Sequence, residues 1–393
     1  MPLFDEKIRT ETRPSFQNEA VFDYLNSSTR ASVCAVREML EGWYAHLPET
    51  AKDDIRGRFR SRDSVQHQSS FFELYWHEFL LCCGYEVEIH PTLSGVKTSP
   101  DFLSIRDGTP QFYLEATLAM PPINLAADRR LAALHDTLNR MDSPDYFLSI
   151  EYRGSPEGNI RGRLLRKQLE AWLKGLEFEE VSSFYAAQQF DAVPTFPWSE
   201  GSLTLEFAPI PKGPKYRGLP GVRQIGVVMP MEMRVVRAHD DIRVAIKGKA
   251  KKYGSLKLPF VIAVNVMEDF FDDVDTRNAL FGEEQVVVTR MSDGTFHHNW
   301  RSRVPNGAWV GRKGPRNTLV SAVFLTNQLS PWTLRSETVE LIHNPWAVNP
   351  LPQDAFPVPQ IAVSLPDGII HKHEGRCAAD LLGVPQPWPI LEQ

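Results

Sequence analysis

At 393 residues the chain exceeds what one hydrophobic core usually serves, so two domains or one heavily elaborated domain are expected. Hydrophobic residues make up 42% and charged residues 23%, an ordinary globular balance, and the net charge of −6 argues against a wholesale polyanion binder. The N-terminal MPLFDEKIRTETRP lacks an apolar signal core, no run approaches the ~20 apolar residues of a membrane span, and the four cysteines form no CxxC pair, so a cytoplasmic protein with reduced thiols is expected.

In chain order, Ser27–Leu47 reads as an amphipathic helix, with Ser27 or Ser28 to cap it and Pro48 to end it. Asp53–Arg62 carries Arg56, Arg58, Arg60 and Arg62 at alternate positions and reads as a solvated face. The spacing of Phe72, Tyr75, Trp76, Phe79 and Cys83 predicts a helix over Phe71–Cys83, stopped by Gly84. Tyr85–His90 alternates as a strand, and Asp101–Arg106 and Gln111–Ala119 are two more, joined by the hairpin signal Asp107-Gly108. A helix over Arg129–Met141, a strand over Tyr146–Tyr152 and a helix over Arg161–Leu176 follow. In the second half, strands Gln224–Met233 and Leu258–Met267 flank a helix from about Asp241 to Tyr253, a crossover that favours parallel pairing. Glu284–Thr289 and Leu319–Leu325 are further strands. The prolines gather in Pro194–Trp198, Ala208–Pro220 and Asn344–Pro359, and the chain beyond Pro345 is expected to wrap the surface.

The chemistry concentrates in Glu73, Pro100-Asp101 and Glu115-Ala116-Thr117. Metal-assisted phosphodiester cleavage needs a hard divalent cation held by a few oxygens, with positions left for water and a phosphate oxygen. Asp101 and Glu115 sit on two hairpin strands and offer two such oxygens, and the Ala116 carbonyl offers a third. A three-residue loop would place the two acids directly opposite, and another register would offset them. Along the second strand Tyr113, Glu115 and Thr117 share a face, while Phe112, Leu114, Ala116 and Leu118 take the other. A helix packed across the hairpin aims Glu73 at the same cation. Each acid also has a plain reading: a strand-face residue, a turn residue and a surface helix charge, Glu78 serving as well as Glu73.

The order helix with glutamate, strand, PD, strand, ExK-like triplet, helix, strand resembles the PD-(D/E)XK, restriction-endonuclease-like nuclease superfamily over roughly residues 70–153. The resemblance implies an α/β fold with a mixed sheet flanked by helices and a large C-terminal α/β extension. It also implies Mg2+- or Mn2+-dependent cleavage of DNA or RNA, of the kind used in restriction, repair or antiviral defence. Glu73 matches the family's helix glutamate, Asp101 its PD aspartate and Glu115 its metal-binding acid. Thr117 stands where the family has lysine. Three explanations stay open: another residue serves, the lysine has migrated (Lys97 nearest in sequence, Lys167 or Lys247 more remote), or the site is inactive and the chain is an interaction module.

Three basic clusters are candidates for phosphate contact, with a solvated face as the plain alternative. Lys247, Lys249, Lys251 and Lys252 lie with Arg243 and Tyr253 on one helix, with Lys247 and Lys251 sharing one face and Lys249 and Lys252 another. Arg161, Arg163, Arg166 and Lys167 form the second. Arg301, Arg303, Arg312, Lys313 and Arg316 form the third, with Trp300 and Trp309 available to stack on bases. His297-His298 and His371-Lys-His373-Glu374 lack the spacing of a known zinc site. Contiguous divisions follow: an N-terminal helical segment over 1–66, a nuclease-like core over 67–176, a proline-rich connector over 177–225 and an α/β portion over 226–393. An enzyme of unrelated chemistry in that last portion is a third reading.

Overall fold

The structure, a computed structural model, describes residues 1–121, 125–219, 221–230, 237–291, 294, 296–365 and 369–389, without the side chains of 125, 230, 287, 289 and 296–301. Four helices open the chain: α1 (Val21–Ser27), α2 (Ala31–Ala45), α3 (Glu49–Phe59) and α4 (Ser64–Cys82). Three strands follow: β1 (Glu86–Ile89), β2 (Phe102–Arg106) and β3 (Thr109–Ala119). Next come α5 (Leu125–Leu138), β4 (Tyr146–Arg153), α6 (Gly162–Lys174), α7 (Phe178–Ala186), β5 (Phe196–Glu200), β6 (Leu203–Pro211) and β7 (Ile225–Pro230). The remainder holds α8 (Ala238–Ala250), β8 (Phe260–Val266), α9 (Asp273–Phe281), β9 (Glu284–Arg290), β10 (Phe296–Arg303), β11 (Val310–Gly311) and β12 (Gly314–Pro315). It closes with β13 (Ala322–Asn327), β14 (Glu340–His343), β15 (Gln360–Val363), β16 (Ile370–His373) and α10 (Ala378–Leu381). No described helix is long and apolar enough to cross a membrane.

The fold is α/β, with an eight-stranded mixed sheet ordered β1-β2-β3-β8-β13-β14-β15-β16. β1, β2 and β3 form an antiparallel meander; β3 runs parallel to β8, and β8 to β13. β8 is buried along its whole length, as expected of a parallel strand covered on both faces. Its alternation divides two cores. Val261 and Ala263 join Phe112, Leu114, Trp76, Phe79 and Phe324 on the α4 side. Phe260, Ile262, Val264 and Val266 join Ile242, Ile246, Ala250 and Tyr253 on the α8 side.

Two compact units emerge, and their boundaries differ from the contiguous blocks read from the sequence. The first comprises Met1–Thr12, Ala20–Pro121 and Val236–Gln393; the second comprises Arg13–Glu19 and Pro122–Val235. The helix, strand and helix expected to complete the core over 67–176 therefore belong to the second unit. There β4 pairs with β6 and β7 in a separate four-stranded sheet ordered β5-β6-β4-β7. The expected pairing of the strands either side of α8 is likewise absent from the described residues. β7 pairs with β4, whereas β8 pairs with β3 and β13; residues 231–233 of the expected first strand lie outside the described residues. The tail beyond Pro345 does more than cover the surface. Phe356 is buried against Phe79, Phe112 and Phe324, and the Tyr85 hydroxyl donates to the Ala355 carbonyl at 2.6 Å.

Local chemistry sets the elements near the hairpin. Asp63 caps α4 by accepting from Val65 N at 2.9 Å and Gln66 N at 3.3 Å, and Gly84 ends the helix at a φ of +81°. Neither Ser27 nor Ser28 caps α2. Ser27 ends α1, and Arg30 occupies the cap position without a side-chain capping bond. Asp107 and Gly108 both take positive φ, the two-residue turn their chemistry favours. Arg106 pairs with Thr109 and Ile105 with Pro110; then Gln111 bulges out, so that Ser104 meets Phe112 and Phe102 meets Leu114. A two-residue turn plus one bulged residue gives the register that a three-residue loop would give, and continuing it places Asp101 opposite Glu115. Deleting Gln111 should straighten the ladder and leave every later pairing in place, with the melting temperature held within about 5 °C. Deleting Leu114 should swap the two faces of the strand and abolish cooperative melting by circular dichroism.

Candidate active site

Glu115 lies in the middle of β3, 1% exposed, on the sheet face covered by α8. A carboxylate so buried needs strong partners, because isolated burial of a charge is costly. The last turn of α8 and the residues after it provide them. Lys249 Nζ lies 2.6 Å from Glu115 Oε1, Lys252 Nζ lies 3.3 Å from the same oxygen, and the Tyr253 hydroxyl donates to Oε2. The apolar stripe Ile242, Ile246, Ala250 packs into the core and sets the rotation of α8, which turns Lys249 toward the sheet. Lys247 and Lys251 are exposed. The ammonium that reaches the acids is therefore Lys249, from the helix read as a phosphate-contact face, with Lys252 beside it. Lys97 is exposed in the loop before β2, Lys167 belongs to α6 of the second unit, and neither they nor Lys247 bond to Asp101 or Glu115.

Asp101 immediately precedes β2, and its Oδ2 accepts from Ala116 N at 2.7 Å. Tyr113 N bonds to the Pro259 carbonyl, on the β8 side, so odd-numbered residues of β3 direct their backbone groups toward β8 and Ala116 directs its groups toward β2. In the continued register the residue opposite Ala116 is Pro100, which has no N–H to donate. The Ala116 N–H is thus taken by the Asp101 side chain, while its carbonyl faces the same edge without a ladder donor from Pro100. Both Glu115 oxygens, by contrast, are already engaged by Lys249, Lys252 and Tyr253.

Glu73 on α4 is held by Arg58 in a two-bond fork of 2.7 and 2.6 Å, and Arg58 also binds Asp54. Its charge still bears on Asp101 and Lys249. Glu78 bonds instead to His46 at 2.8 Å and is buried there. The other arginines of that stretch are committed within the fold: Arg56 to the Pro2 carbonyl, Arg60 to Leu3 and Asp5, and Arg62 to Asp23. Thr117 follows Glu115 on the same face, half-buried.

Burial raises the Asp101 carboxyl well above its ordinary 3.8, the charges of Glu115 and Glu73 add to the rise, and the Ala116 N–H and Lys249 oppose it. Burial pulls Lys249 down, but Glu115 outweighs it and holds the ammonium above its usual value. Burial and the bond to Glu115 push the Tyr253 phenol strongly up.

The remaining clusters are placed as follows. In the second unit Arg161 pairs with Glu200 at 2.8 Å, while Arg163 and Lys167 are exposed. Trp309 is fully buried and cannot stack on bases, and Arg316 is tied to the Asn306 and Gly307 carbonyls. The side chains of His297, His298, Trp300 and Arg301 lie outside the described residues. His371 bonds to Ser364 at 2.7 Å on an exposed strand. His239, Asp240 and Glu283 bring ligand atoms within 4.8 Å of one another, a spacing that could hold a metal. Arg243 and Arg237 ion-pair with both of those acids, however, so guanidinium groups already occupy the cluster. Sequence reading missed Tyr253 and Arg58 as partners of the acids. The apolar stripe of α8 was the available signal for which lysines face inward. No family model, curated protein or solved structure matches the chain.

A carboxyl with a raised folded-state pKa gives a fold whose stability is full below the unfolded value and declines as pH rises toward the folded one. Asp101→Asn keeps an acceptor for Ala116 N–H and removes that loss. In EDTA at pH 8 the variant should melt about 2 °C or more above the native protein, with the gap closing toward pH 4 in differential scanning fluorimetry. A gap of zero at pH 8 would show that the carboxyl is not crowded.

Proposed function

We propose that the chain is a Mg2+- or Mn2+-dependent nuclease that hydrolyses phosphodiester bonds in DNA or RNA, with Asp101, Glu115 and the Ala116 carbonyl as metal ligands and Lys249 in the role of the missing motif lysine. The observation that carries the reading is the Lys249 ammonium, 2.6 Å from the buried Glu115 carboxylate that neighbours Asp101. The resemblance supports it further. Helix, three-stranded meander, helix and parallel strand occur here as α4, β1-β2-β3, α8 and β8, with the chain of the second unit interposed between β3 and α8.

The cation would polarise a phosphate oxygen and lower the pKa of a bound water. Lys249, anchored on Glu115, would hold its remaining N–H groups toward that water and balance the negative charge that grows as the water oxygen bonds to phosphorus and the ester bond breaks. Lys252 and Tyr253 would keep Glu115 oriented, and Arg58 would fix Glu73 as a background negative charge. Four carboxylates (Asp54, Glu73, Asp101, Glu115) face three cations (Arg58, Lys249, Lys252), so a divalent ion gives the site a formal charge of +1, which suits a phosphodiester anion.

The test is a cleavage assay on single- and double-stranded DNA and RNA. Native protein should cleave at least one of them with Mg2+ or Mn2+; Asp101→Asn should abolish cleavage and Lys249→Ala should lower it by about 100-fold or more. Thr117→Lys should add little, since Lys249 fills the role. Absence of cleavage by the native protein, together with no stabilisation by Mn2+, would favour an inactive interaction module instead. A second experiment addresses substrate contact. Replacing the exposed Lys247 and Lys251 by alanine should weaken nucleic-acid binding and reduce the slope of log affinity against log salt by about one to two. An unchanged slope would return these lysines to the solvent.

A further inference from the structure

We propose that a cavity bounded by α9 and the β14-β15-β16 end of the large sheet binds a small zwitterion with an apolar body, of the class of free amino acids with large aliphatic or aromatic side chains. The cavity encloses about 310 Å³, the lower range of small-ligand pockets. Its walls are largely apolar, with Phe281, Ile342, Trp346 and Ile361 among them, and Phe281 and Trp346 meet at a 6.2 Å centroid separation. β14 stands three strands from β3 in the sheet, about 14 Å at the usual strand spacing, so the cavity is separate from the acids on β3 and the proposal does not rest on the nuclease reading.

Charges of both signs line the same apolar space. Glu340 is half-buried, and its carboxylate accepts no hydrogen bond among the described residues. Burial holds the carboxyl above its ordinary range, Asp273 adds to the rise, and Lys372, largely exposed, opposes it. Such a group favours an incoming ammonium, and the neighbouring aromatic faces do too. On the cationic side, Arg277 and Lys372 each stand 3.9 Å from one Asp273 oxygen, too far for a hydrogen bond, so neither commits its donors. Arg303 uses one nitrogen on the Gly282 carbonyl at 2.6 Å and on Asn278, and its other N–H groups have no acceptor among the described residues. Burial lowers it, Glu284 opposes that, and nearby Arg277 adds to it, as expected of two guanidinium groups that would gain from a shared carboxylate. A zwitterion satisfies Glu340 and the arginines together; a simple acid or a simple amine satisfies only one of them.

The test uses the whole protein in isothermal titration calorimetry and thermal shift with L-phenylalanine, L-leucine, 3-phenylpropionate and phenethylamine. At least one of the two amino acids should bind saturably with a Kd below about 1 mM. The two analogues, each lacking one charge, should bind at least tenfold more weakly than L-phenylalanine. Glu340→Gln should reduce L-phenylalanine to the level of 3-phenylpropionate, and Arg277→Gln should cost about tenfold. Ile361→Trp, which fills the space without changing charge, should abolish binding while melting cooperatively. If that variant fails to fold, the Glu340 and Arg277 variants decide. Failure of both amino acids to bind, analogue binding equal to that of L-phenylalanine, or retained binding in folded Ile361→Trp would each overturn the proposal.

Discussion

The organising constraint is the burial of one negative charge. Glu115 is 1% exposed on a sheet face that otherwise packs hydrocarbon, and a carboxylate left alone there would cost several kcal/mol. Its partners arrive from a single direction. Lys249 belongs to the final turn of α8, and Lys252 and Tyr253 follow it, so α8 must cross β3 and β8 with its C-terminal end over Glu115. Cations there also suit the negative end of the helix dipole. The apolar stripe on α8 supplies adhesion to the sheet, and the ion pair determines which part of the helix lies above which residue of β3.

The β2 side of the site follows from backbone bookkeeping. A strand needs each N–H and carbonyl satisfied, and proline removes one donor from its partner. Opposite Ala116 the chain has Pro100, and the adjoining Asp101 side chain accepts the Ala116 N–H at 2.7 Å. A side chain thus completes the ladder where the partner strand has no donor. Gln111 leaves that arrangement undisturbed: its bulge absorbs one extra residue, so that Ser104 still meets Phe112 and Phe102 meets Leu114.

Much of this was legible before the fold was known. The hairpin with its Asp107-Gly108 turn, the face shared by Tyr113, Glu115 and Thr117, and the aromatic helix before them all follow from period-two and period-3.6 patterning. The choice of lysine was harder to read. Spacing shows that Lys247 pairs with Lys251 and Lys249 with Lys252, but not which pair meets protein; the stripe Ile242, Ile246, Ala250 answers that only if α8 packs on its apolar side against β3. Where the chain divides was not legible. Arg129–Met141, Tyr146–Tyr152 and Arg161–Leu176 carry the periodicities of a continuing core, and local pattern says nothing about which sheet a strand will join. Strand β4 pairs with β6 and β7, contacts fixed by sequences 50 to 80 residues downstream. The proline-rich tail misled for a related reason, since proline marks irregular backbone but does not forbid burial of Phe356 and Val358 between the prolines.

Placing the cation on a helix changes what can control the site. A lysine two residues after Glu115 on β3 would move only with the sheet. Lys249 moves with α8, whose far end carries its own contacts: Arg243 ion-pairs with Asp240 and Glu283, and His239 hydrogen-bonds to Asp275 on α9 at 3.0 Å. The helix is therefore tied at one end to Glu115 and at the other to α9 and Glu283. The lysine's reach to Glu115 is then a property of the whole first unit rather than of a neighbouring residue on β3, which is why an ammonium group faces Glu115 although position 117 is threonine.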